Sequence, residues 1–102
     1  MPTQDQINDV LAKVETYRVK KAVSDAAQAG TTTALMAVNA ARDAWDSAVE
    51  QGALDSVLTP KLLELIDAQH DAAPILADAQ AKAVESSVAI SELNAAIAAA
   101  SA

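Results

Sequence analysis

The sequence predicts an all-α fold, an antiparallel bundle of three or four helices with an elongated C-terminal helical arm. Three observations carry that expectation. Alanine, the strongest helix former, supplies 26 of the 53 hydrophobic residues. Apolar residues recur at three- and four-residue steps along the chain, and no stretch alternates apolar and polar as a half-buried strand does. Two glycines and three prolines in 102 residues are too few turn formers for a barrel or sandwich of short strands. At this length the chain, 1–102, reads as a single helical domain, with helices expected near 4–29, 32–51, 60–72 and 74–99.

The first helix is expected to open at Thr3. Thr3 and Gln6 have the spacing of a capping box, in which each side chain satisfies the other residue's orphan backbone N–H. Ile7, Val10, Leu11, Val14 and Tyr17 then share a face, after which the stripe shifts to Val19, Ala22, Val23 and Ala26. Gly30 is the expected stop, because glycine accepts the left-handed conformation that ends helices. A continuous helix through one glycine would cost only about 1 kcal/mol. The β-branched run Thr31–Thr33 favours the break, with a threonine hydroxyl capping the next helix.

In that second helix Leu35, Val38, Trp45 and Val49 lie together, with Trp45 as core anchor. Ala34, Ala37, Ala41, Ala44 and Ala48 form a methyl-only face beside them, a candidate interaction surface. Gly52 ends the segment. Residues 53–58 read as a packed connector, and Thr59-Pro60 as a restart with proline at the first helical position, where its missing N–H is harmless.

The segment from Pro60 to about Ala100 has the strongest regularity. Glu64, Asp71, Asp78, Glu85 and Glu92 are seven apart. Leu62, Leu76, Ala83, Ile90 and Ile97 fall in one heptad column, and Leu65, Ala79 and Leu93 in the column three residues on. These two columns are the expected seam of a coiled coil, with the acids facing away from it. Pro74 removes the hydrogen bond to the His70 carbonyl if the helix continues. The unbroken register favours a kinked helix and Asp71-Ala-Ala-Pro74 a fresh start; the expectation leans to two helices nearly in line.

Net charge is −7, and all of it lies beyond residue 30. The chain is therefore expected not to bind nucleic acid or an anionic membrane, since both repel it. Residues 1–6 carry no basic or apolar leader pattern, and the longest uncharged run, Ala26–Ala41, is shorter than the ~20 apolar residues of a spanning helix. A cytoplasmic or virion location is expected. Arg18, Lys20 and Lys21 are the basic cluster, expected to make charged contacts with acids such as Glu85 and Glu92, or to form a solvated face.

Catalytic chemistry has little to build on. Cysteine is absent, and the single histidine, His70, sits among Glu64, Asp67 and Asp71 as a surface cluster rather than half of a two-histidine carboxylate centre. Ser86, Ser87 and Ser91 lack a base and a glycine-rich turn to form an oxyanion hole. Neither Gly30 nor Gly52 belongs to a phosphate-binding loop. No catalytic, cofactor-binding or metal-ligating residue is expected, and no cofactor. The expected role is a non-enzymatic structural or interaction subunit of an oligomeric assembly, with a small virion (phage particle) component as its concrete form. Expected partners are further copies of the chain or other protein subunits. The alternative is an amphipathic coat or adaptor that binds an apolar surface or a basic partner.

Overall fold

The structure is a computed structural model and describes all residues, 1–102. It corrects the three- or four-helix expectation. There are two helices, α1 (Gln4–Glu50) and α2 (Asp55–Ser101), each of 47 residues. The chain divides into two compact units. One is Gln28–Asp78, a helical hairpin; the other joins Met1–Ala27 to Ala79–Ala102. The segment read as an elongated C-terminal arm, from Pro60 to about Ala100, is most of α2 and divides between the two units.

α1 starts as its sequence suggests. The Thr3 backbone N–H donates to Gln6 Oε1 at 2.9 Å, and the Gln6 N–H donates to Thr3 Oγ1 at 3.1 Å. It does not stop at Gly30. The threonine hydroxyls expected to cap a new helix instead donate back one turn, Thr32 to the Gln28 carbonyl and Thr33 to that of Ala29, both at 3.3 Å. This bonding leaves the backbone ladder intact. Tertiary packing outweighs the glycine: the inward positions of α1 run at three- and four-residue steps straight through it, from Val10, Tyr17 and Ser24 to Thr31, Val38 and Trp45.

The real stop is Gly52, at φ 67°. The Ala53 N–H reaches the Ala48 carbonyl at 3.0 Å and the Gly52 N–H that of Val49 at 3.1 Å. This is a Schellman closure, which requires a left-handed residue where Gly52 sits.

α2 begins at Asp55, before the expected Thr59-Pro60 restart. The Leu54 carbonyl accepts from the Val57 and Leu58 N–H groups, and Asp55 places a negative charge in the first turn, where the helix dipole favours it. Pro60 and Pro74 both lie inside the helix, which breaks at neither. Pro74 and His70 are both exposed, so the carbonyl left without a donor faces water.

The hairpin unit is centred on Val38, Leu65 and Ala72, with Ala34, Ala41, Trp45 and Ala68 packed around them. In the other unit the most buried side chains are Ser24, Ala79, Ala89, Leu93 and Ala96. No buried side-chain polar atom lacks a partner. Five of the eight buried apolar residues are alanines. The seam between the helices is therefore built from small residues, each of which contributes far less than the 1.5–3 kcal/mol typical of a buried leucine or valine.

Candidate interaction surface

The inner seam of α2 follows the Leu65 column: Leu65, Ala72, Ala79 and Leu93 are buried and Ser86 is half-buried. Its companion is the column of Ala68, Lys82, Ala89 and Ala96, three residues beyond, in which Ile75 alone is exposed, at 40%, and not the Leu62 column. Leu62, Leu76 and Ile97 stand exposed at 39, 37 and 44%, Ala83 is exposed, and Ile90 is half-buried. Of the two columns of the expected seam, the Leu65 column turns inward and the Leu62 column outward. The reason is size. Reading the seam through the largest side chains assumes that bulk is buried, whereas this pair of helices packs through its methyl groups.

On α1 the methyl face splits similarly. Ala48 is buried, Ala34, Ala41 and Ala44 are half-buried, and Ala37 is exposed. Leu35 and Val49 point outward at 43 and 48% exposure, away from Val38 and the half-buried Trp45.

Moving the seam moves the acids. Glu64, Asp71, Asp78, Glu85 and Glu92 lie immediately beside the Ala68 column, along the edge of the seam, rather than on the far side of α2. Glu85 meets the Lys20 Nζ of α1 at 3.4 Å. Arg18 pairs instead with Glu15 at 3.4 Å and Lys21 with Asp25 at 2.8 Å, both within α1, and Glu92 forms no salt bridge. The hydrogen bond and charge of Asp25 raise the Lys21 pKa above the ordinary lysine value. All three pairs are open to water, so each adds little to stability.

Within the hairpin unit an open groove of about 710 Å³ runs beside this edge. Gly30, Ala34, Ala37, Ala68 and Ala72 form its floor, and Glu64, Asp67 and Asp71 stand along it. These acids and His70 form no group of three placed to hold a metal ion.

The outward face of α2 was not recognised from the sequence. Three adjacent heptad columns, those of Leu62, Leu63 and Ile66, contain no Asp, Glu, Lys or Arg from Ser56 to Ser101. The corresponding outward columns of α1 hold Glu15, Arg18, Lys21, Asp25, Arg42, Asp43, Asp46 and Glu50. One helix thus turns a solvated face outward, and the other an uncharged one. Leu63, Ile66 and Val84 stand on the uncharged face at 54, 48 and 58% exposure. The missing charges were legible in the sequence, but only once the seam register is known. No helix is long and apolar enough to cross a membrane.

The chain matches no protein-family model, no curated protein and no solved structure.

Proposed function

We propose that the chain is a non-enzymatic structural or interaction subunit that works by docking the outward face of α2 against protein. The observation that supports this is the contrast between the two helices: eight charged residues on the outward columns of α1 and one, Asp55 at the helix start, on those of α2. A solvated helix face normally carries mixed charge, and large apolar side chains left exposed on an uncharged face mark an interaction site. The narrower expectation of a virion component has no feature of the fold behind it, so the reading stops at an assembly-forming helical subunit.

The test is the double variant Ile66→Lys, Leu76→Lys. Both side chains are exposed and outside the helix–helix seam, so helicity by circular dichroism should be unchanged. Association, followed by light scattering, should weaken at least about a hundredfold, the equivalent of losing two buried apolar side chains. Unchanged association would defeat the reading.

A second reading is favoured by the groove of the hairpin unit, whose Glu64, Asp67 and Asp71 suit a basic partner. Binding of that kind weakens steeply as salt rises from 50 to 500 mM, whereas docking through the uncharged face is nearly salt-independent.

A further inference from the structure

We infer that the open groove of the hairpin unit, Gln28–Asp78, seats a basic amphipathic helix from another protein, lying as a third helix against α1 and α2 of that unit. The inference rests on the reading of this groove as a site for a basic partner, and names the partner's form.

The two walls follow from the sequence. Gly30, Thr33, Ala34 and Ala37 lie at three- and four-residue steps, so they share one face of α1. No side chain from Ala26 to Ala41 is charged. On α2 the same steps bring Glu64, Asp67 and Asp71 into one row, with Ala68 and Ala72 beside them. One wall is thus small and uncharged, and the other carries three acids beside a methyl floor.

A helix fits this shape. The groove is open to solvent, whereas a small ligand is held where most of its surface can be buried. Small residues on both walls let a third backbone approach to the roughly 8–10 Å of packed helices. Gly30 sets the depth. A Cβ built there meets nothing closer than Ile75 Cγ2, at 3.9 Å, so the space above it is unfilled.

Charge selects which helix. Glu64, Asp67 and Asp71 are exposed, and none of them forms a salt bridge, although Lys61 stands one turn before Glu64. The unit holds Arg42 and Lys61 against eight acids, so its field draws in cations. The row from Glu64 to Asp71 covers about 10 Å of helix. A partner helix with Lys or Arg at i, i+3 and i+7 presents cations at the same spacing. Its apolar stripe then meets the alanines, and its flank toward Thr33 is polar and uncharged. A second copy is a poor occupant, because its basic cluster of Arg18, Lys20 and Lys21 is already paired with Glu15, Glu85 and Asp25.

The test titrates the full chain into a labelled peptide of about three heptads, with leucine at a and d, lysine at b and e, and glutamine elsewhere. A second peptide has the same composition in scrambled order, which removes the amphipathic face. At about 50 mM salt the ordered peptide should bind about tenfold more tightly than the scrambled one. Glu64→Gln, Asp67→Asn, Asp71→Asn should weaken its binding about tenfold. Asp43→Asn, Asp46→Asn, Glu50→Gln removes as much charge from the outward columns of α1 and should change binding less than about threefold. Gly30→Leu keeps the charge, fills the floor and should weaken binding about tenfold with helicity undiminished.

Indifference to Gly30→Leu, or equal binding of the two peptides, overturns the inference. If the groove neutralisations still weaken binding selectively in that case, the basic-partner reading stands. Equal losses from the two neutralised variants, or no binding of either peptide, overturn both. Self-association that the groove neutralisations abolish would put a second copy in the groove and also overturn the inference.

Discussion

Two glycines illustrate how residue-level chemistry divides in this chain. Gly52 is held at φ 67°, where any other residue is strained, while Gly30 lies inside α1 with ordinary helical geometry. A Cβ built on Gly30 meets nothing closer than Ile75 Cγ2, at 3.9 Å. Gly30→Ala should therefore stabilise the fold by about 0.5–1 kcal/mol, the ordinary helix-propensity difference. Gly52→Ala should destabilise it by about 1 kcal/mol or more, since alanine at positive φ loses more than chain entropy returns. Thermal melts should move in opposite directions, by roughly 4–8 °C per kcal/mol for a chain of this size. Both glycines were read as helix ends from sequence, and only Gly52 is one. Local signals at the two positions resemble each other; what separates them is whether the buried face continues beyond, as it does from Ala27 through Thr31 to Ala34.

At the scale of the helix, helical state was legible, whereas the number of helices and the register between them were not. The Thr3–Gln6 cap and the end at Gly52 follow from local rules that hold in any context. The seam depends on which side chains two helices choose to bury together. Alanine columns and leucine columns have the same period, so periodicity finds the columns but does not rank them. That is why Leu65, Ala79 and Leu93 are buried while Leu62, Leu76 and Ile97 are exposed. Substitutions can separate the two registers. Ala72→Leu, at 4% exposure, should overpack the seam and cost about 1–3 kcal/mol. Leu65→Ala should cost about 2–3 kcal/mol. Ala83→Leu, on the exposed column, should leave monomer stability within about 0.5 kcal/mol. Urea unfolding at low protein concentration measures all three. A loss at Ala83→Leu equal to that at Ala72→Leu would restore the larger-residue seam.

Over the whole molecule the governing fact is a shortage of bulk in the interior and a surplus outside it. No side chain is completely buried, and Leu63, Ile66, Val84 and Val88 all remain about half exposed. The sequence foretold the shortage through its alanines and pointed to other chains around this one. It did not say which face they would cover, because that face is defined only after α1 has taken its side of α2. Sedimentation equilibrium of the wild-type chain over roughly 1–200 µM tests this account most directly. The account predicts a mass that rises with concentration above 10.5 kDa. A constant mass of 10.5 kDa across the range would contradict it.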